Sequence, residues 1–244
     1  NLREFYTRLT KVMSEVSYDY DIIFVDDGSR DASSAILYDL SQNDEHVQAY
    51  LLSRNFGHQM ALTCGLDHAE GDAVITMDGD LQHPPELIPE LLGLWEAGYE
   101  IVQTVRKDTA DASKFKKITS STYYKVINKM SKVHITPGGS DFRLMDRVAI
   151  EALRLYNERA RFIRGLVNNL GFKLTTLEFV APPRFAGQSK YNLHKMLHFA
   201  LDGITAFSNV PLRWAFYVGL SFGFGSMLVL GHVLFIKLFT EEAV

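Results

Sequence analysis

"ITMDGDLQHPP", residues 75–85, sets an apolar run directly against two carboxylates one residue apart. Ile75 to Met77 read as the end of a buried strand, and Pro84-Pro85 bar a strand beyond it. Open α/β sheets bind their ligands outside the carboxyl ends of their strands, which is where Asp78 and Asp80 would sit. Two like charges this close repel each other unless something positive lies between them. A hard divalent cation takes oxygen ligands, and Mg²⁺ typically uses one or two carboxylates plus substrate phosphates. Asp78 and Asp80 are therefore candidate ligands for Mg²⁺ or Mn²⁺, with Gln82 as a third oxygen donor. The competing reading is a turn in which Asp78 caps and Gly79 supplies the bend.

Upstream, "IIFVDDGSR" (22–30) repeats the design: an apolar strand, two acids, then Gly and Ser. Asp26 or Asp27 suits the hydroxyls of a ribose or the N–H of a base, and Gly28 allows close backbone approach. An Asp-Gly turn with Ser29 or Asp31 capping the next helix explains the same residues. Two strands ending in paired acids, on one expected sheet edge, strengthen the binding reading.

Apolar runs at 21–27, 47–53, 72–78, 100–106, 141–145 and 173–180 are strand candidates. Between the first four, 32–40, 58–68 and 86–96 carry helix-spaced apolar residues, the pattern of an α/β sheet with crossover helices. A lysine-rich helix is expected over 114–130. After Phe179 the composition changes: a basic, turn-rich loop precedes Leu193, Met196, Leu197, Ala200, Ile204 and Phe207, one face of an amphipathic helix that suits a membrane interface. Residues 214–235 then run without Asp, Glu, Lys or Arg, long enough to span a hydrocarbon core of ~30 Å.

At 244 residues the chain holds one large domain, with or without an appendage. A net charge of −4 gives no nucleic-acid surface, and a single cysteine, Cys64, excludes an internal disulfide and reads as core packing. The histidines show no zinc spacing. The chain opens on Asn1 inside a helical pattern and closes just past its apolar stretch, so it reads as a piece of a longer protein.

"VDDGSRDAS", "LSRNFGHQMALTCGLDHAEGDAVITMDGDLQHPPE", "GGSDFRLMDR" and "RFAGQSKY" together resemble the inverting family 2 glycosyltransferases. Within that family the likeness is to the polyprenyl-phosphate group, which includes dolichol-phosphate mannosyltransferase and bacterial undecaprenyl-phosphate glucosyl- and aminoarabinosyl-type enzymes. The resemblance implies a GT-A-like (Rossmann-like) α/β mixed sheet with flanking helices over 1–188. An amphipathic interfacial helix over 189–210 and a transmembrane segment over 211–244 would follow. The family's usual first strand and a second membrane span are not found in the sequence. Implied donor-binding residues are Asp26, Asp27, Ser29, Arg54, Asp78, Arg184, Ser189 and Lys190. Asp78, Asp80 and Gln82 match the metal motif, and Asp141 and Arg143 the reaction centre. Lys117, Ser120 and Arg143 are candidates for gripping the acceptor's phosphate, a solvated basic face being the alternative for the lysine helix.

These matches imply a membrane-bound hexosyltransferase of the bacterial inner membrane, its catalytic domain facing the cytoplasm. It would move a sugar from a UDP-sugar, UDP-glucose or a relative, to a polyprenyl phosphate, with the bilayer as partner and a homo-oligomer formed through the membrane helices. A GDP-mannose-dependent mannosyltransferase and a non-catalytic nucleotide-sugar-binding module are the alternatives. An Asp-x-Asp phosphatase is the rival enzyme class, but it leaves "VDDGS" and "RFAGQSKY" unexplained. A lipid monophosphate, with a second pKa of ~6, is already a nucleophile at neutral pH, so Asp141 would orient groups rather than remove a proton.

Overall fold

In the computed structural model, which describes residues 1–107, 138–156, 163–180 and 210–239, side-chain alternation along one strand separates two apolar cores. That strand, β5 (Gly139–Asp146), lies between β3 (Ala73–Thr76) and β4 (Ile101–Arg106), antiparallel to both. β6 (Leu174–Phe179) completes the order β3-β5-β4-β6, parallel to β4. Phe142 and Leu144 enter one core, shared with Phe5, Leu9 and Val12 of α1 (Leu2–Met13) and with Ile88 and Leu91 of α4 (Ile88–Glu96). Met145 enters the other, with Leu66 of α3 (His58–His68), Ile150 and Leu153 of α5 (Arg147–Arg154), and Ile163 and Leu166 of α6 (Ile163–Asn169). Fully burying such a side chain stabilises by about 1.5–3 kcal/mol, so the two faces are not interchangeable. Asp141 and Arg143 share Met145's parity, and a one-residue slip would drive both into the Phe142 core. Register thus decides which side of the sheet carries the polar site.

β1 (Ile22–Asp26) and β2 (Val47–Leu51) form a separate parallel ladder, joined by α2 (Ser33–Asn43). The expectation that both acidic pairs lie on one sheet edge is corrected here: β1 and β3 share no ladder hydrogen bonds among the described residues. Both border the core that holds α1, with Ile22 and Phe24 of β1 inside it and Ala73 and Ile75 of β3 packed against it. The Phe5 ring of α1 stands edge-on to Phe24 at 6.2 Å, while a Cβ on Gly65 of α3 would lie 3.5 Å from Val25 Cγ2.

α5 and α6 were not among the sequence expectations. α5 follows β5 without a Gly or Pro break and starts at Asp146, whose carboxylate accepts Val148 N–H at 2.9 Å and Trp95 Nε1–H at 2.7 Å. At its other end Arg154 Nη2 donates to the carbonyls of Leu66, Asp67 and Ala69, closing the last turn of α3. α7 (Val210–Phe239) contains 214–235, and Leu212–Phe239 is long and apolar enough to cross a membrane by length and composition. The lysine-rich helix, the basic loop and the amphipathic helix lie outside the described residues, as do Lys117, Ser120, Arg184, Ser189 and Lys190.

Candidate active site

The carboxyl end of β1 is built to fix the loop that follows β2. Asp26 is buried, its Oδ1 accepting Ser29 N–H at 3.1 Å and its Oδ2 the Ser34 hydroxyl at 2.5 Å. Burial would raise its pKa, but these hydrogen bonds outweigh it and hold the carboxyl below its ordinary value. Asp27 spends both oxygens on the next loop, accepting Phe56 N–H at 2.7 Å and Gly57 N–H at 2.9 Å. Gly28 has φ +67°, and a Cβ there would stand 2.4 Å from the Arg54 carbonyl carbon. Only glycine fits. The clamp delivers Arg54, stacked 4.4 Å over the Phe56 ring, and His58 at the start of α3.

Beyond β3 the chain folds back on itself. Leu81 takes the left-handed φ of 66° with its side chain buried, and Asp80 Oδ1 accepts Gln82 N–H at 3.0 Å. A non-glycine residue in this region costs about 1–2 kcal/mol, which the buried leucine offsets. His83 then reaches back: its Nδ1 accepts Asp78 N–H at 2.8 Å, and its Nε2 lies 2.7 Å from Ser140 Oγ. An Nδ1 that accepts places the proton on Nε2, and burial lowers the pKa of the ring, so His83 is the neutral tautomer.

On the opposite face of β5, the Asp141 carboxylate is 2% exposed and meets donors from three elements. Arg143 Nη2 reaches Oδ1 at 2.9 Å; Arg164 of α6 binds side-on, Nε to Oδ1 at 2.9 Å and Nη2 to Oδ2 at 2.7 Å; His58 Nε2 lies 2.9 Å from Oδ2. Burial alone would raise the pKa of Asp141, but His58 and Arg164 hold it far below the carboxylate range. The hydrogen bond to Asp141 in turn raises the pKa of His58. Arg143 is buried outright, which pushes its pKa down to about 10 and leaves Nε and Nη1 without hydrogen-bond partners.

His58 links the two halves, its Nδ1 3.9 Å from Asp78 Oδ1. The sequence-predicted Asp78 and Asp141 are thereby brought together, with Asp27 behind them through 56–57. Asp80 and Gln82 close the loop beside them, while Arg54 and Ser29 stay with β1 and β2. Arg143, expected to meet the acceptor's phosphate, is 1% exposed and sits behind Asp141. His58, His83 and Arg164 were missed, because none carries a spacing that marks it. Among the described residues no three His, Cys, Asp or Glu side chains converge as a metal cage. Asp78, with 41% of its side chain exposed, and Asp80 offer hard oxygen donors of the kind that suit a cation arriving with substrate phosphates.

The family model described as Glycosyl transferase family 2 matches residues 1–154. The chain belongs to glycosyl transferase family 2. It is 42% identical over 243 residues to the uncharacterized glycosyltransferase YkcC of Bacillus subtilis, covering 100% of this chain and 75% of that protein. It is 39% identical over 236 residues to the prophage bactoprenol glucosyl transferase homolog of Escherichia coli K12, covering 95% and 77%. Among solved structures, S. aureus TarS in complex with UDP-GlcNAc matches with a TM-score of 0.51 at 13% identity, over 83% of this chain and 62% of that one. The fold of this family 2 glycosyltransferase is therefore GT-A-like.

Proposed function

We propose that this family 2 chain transfers glucose, or a closely related sugar, from a UDP-sugar to a polyprenyl phosphate with inversion. The likeness to bactoprenol glucosyl transferases supports the acceptor and the sugar. The supporting observation in the structure is the buried Asp141 carboxylate, saturated by Arg143, Arg164 and His58 and joined through His58 to Asp78. A carboxylate so stabilised as an anion is a poor proton acceptor. It serves as an anchor for cations, which suits an acceptor that is already ionised.

In this reading Asp78 and Asp80, with Gln82, would hold a divalent cation, Mg²⁺ or Mn²⁺, which when bound supplies positive charge to the leaving diphosphate. Asp26 and Asp27 fix the loops that shape the nucleotide side, with Ser29 and Arg54 beside it. Arg184, Ser189 and Lys190 would cover the diphosphate, and Lys117 and Ser120 would approach the acceptor. The catalytic domain would run over 1–188 and the interfacial helix over 189–210. α7 would cross the bilayer with the domain on the cytoplasmic side, because Arg184, Lys190, Lys195 and Arg213 precede the span whereas Glu241 and Glu242 follow Lys237.

UDP release from UDP-glucose, assayed with and without undecaprenyl phosphate, tests the function. Acceptor-stimulated release is expected; GDP release from GDP-mannose alone would favour a mannosyltransferase, and binding without any release would favour a non-catalytic module.

A further inference from the structure

The loop that carries Asp78 and Asp80 is tied to neighbouring residues of β5 on both sides. Ahead of it, the Thr76 hydroxyl donates to the Asp141 carbonyl at 2.5 Å; behind it, the His83 ring meets the Ser140 hydroxyl at 2.7 Å. His83 is buried on the Phe142 side of the strand, stacked on the Phe142 ring at 5.3 Å and edge-on to Phe179 at 6.1 Å. A phenyl ring would fill such a place without the cost of burying polar nitrogens. The imidazole instead uses both of them. Nδ1 accepts Asp78 N–H at 2.8 Å, so Nε2 carries the proton and donates it to Ser140 Oγ, which also accepts Phe142 N–H at 3.2 Å.

We propose that His83 is a positioning residue for the donor's cation and diphosphate: by relaying the Asp78 amide to Ser140 it sets the acidic loop against Asp141, and this rests on the glycosyl-transfer reading above. Asp78 and Asp80 repel each other, so a loop free to relax would part them before a cation arrives. A loop already held loses less entropy on binding. The charge balance agrees with that role. A neutral His83 leaves the charge of Asp78 and Asp80 to the cation, while His58 approaches Asp78 from the Asp141 side, its Nδ1 3.9 Å from Oδ1. Ser140 selects the tautomer. Without its hydroxyl a buried Nε2–H has no acceptor, and the proton is better placed on Nδ1. An Nδ1–H would oppose Asp78 N–H and face Asp78 Oδ2, 3.6 Å away, drawing that carboxylate off the cation.

The test is calorimetric titration of the detergent-solubilised full chain with UDP, with and without Mn²⁺, in wild type, Ser140→Ala, Ser140→Thr and His83→Gln. The gain in UDP affinity that Mn²⁺ brings should fall at least about tenfold in Ser140→Ala, which keeps the ring in the core, and in His83→Gln, which leaves Asp78 N–H without its acceptor. It should recover in Ser140→Thr, which restores a hydroxyl. Affinity for UDP without metal should stay within about threefold of wild type throughout. If His83→Gln no longer binds UDP at all, Ser140→Ala decides by the same ratio. A wild-type gain in Ser140→Ala, or UDP affinity lost equally with and without Mn²⁺, would make the ring a packing residue and overturn the proposal. So would a wild type whose UDP affinity Mn²⁺ does not raise. The expected pattern in a chain that transfers no sugar would sink the proposed function and leave the positioning role standing.

Discussion

Asp141 illustrates how burial and charge can oppose each other at one atom pair. Removing the carboxylate strands Arg143 in the core, and breaking a buried pair of this kind costs about 3–5 kcal/mol. Asp141→Asn should therefore lower thermal stability as well as turnover. The folded pKa lies below the unfolded value of about 3.9, so the carboxylate's contribution is complete above that pH and is lost as pH falls through the folded value. Thermal melts should show the gap between wild type and Asp141→Asn widest from about pH 5 to 6, narrowing below about pH 4 as Asp141 protonates and narrowing above about pH 6.5 as His58, whose pKa Asp141 raises, loses its proton. Gly28 makes a second prediction. Ala there meets the Arg54 backbone and a left-handed φ together, so Gly28→Ala should cost at least about 2 kcal/mol in denaturant titrations and weaken UDP binding. Asp26, Asp27, Asp78, Asp80, Asp141 and Arg143 were legible because acids and Gly ended apolar runs or matched a motif. Arg164 was not. It follows "RARF" with nothing local to distinguish it, and only α6 packing against β5 brings it to Asp141.

At the scale of elements, the six strands among the described residues were legible to within two residues, since each is an apolar run bounded by turn residues or charges. α5 was illegible because its start signal, Asp146, also reads as the polar end of a strand. The fold-back at 78–83 was only half visible: Pro84-Pro85 announced that β3 stops, but not that His83 returns to the Asp78 amide. That return ties both ends of the acidic loop together through the Asp78 amide. Asp80→Asn, which keeps an oxygen to accept Gln82 N–H, should leave the melting temperature within a few degrees while turnover drops by orders of magnitude. Excess chelator should reproduce the loss in the wild type. Full wild-type rate in chelator would remove the metal from Asp78 and Asp80.

Across the whole molecule, a GT-A-like body with its polar site on one side of β5 is followed by an apolar helix in which none of the described residues is buried. The split between the β1-β2 ladder and the β3 sheet was not legible, because pairing partners depend on the three-dimensional neighbourhood rather than on any run of residues. The membrane proposal has its own measurement. In a Cys64→Ala background, Glu242→Cys should react with an impermeant thiol reagent in intact cells and Asp111→Cys should not; labelling of both, or of neither, would contradict the orientation. What ties the body to the membrane is the acceptor, and the lipid product is where the central claim is most exposed. Membranes containing the full chain, given UDP-glucose and undecaprenyl phosphate, should yield the lipid phosphate one hexose heavier by mass spectrometry. Undecaprenol given in its place should remain unmodified. A glycosylated alcohol, or unchanged undecaprenyl phosphate across a panel of UDP-sugars, would contradict transfer to a lipid phosphate.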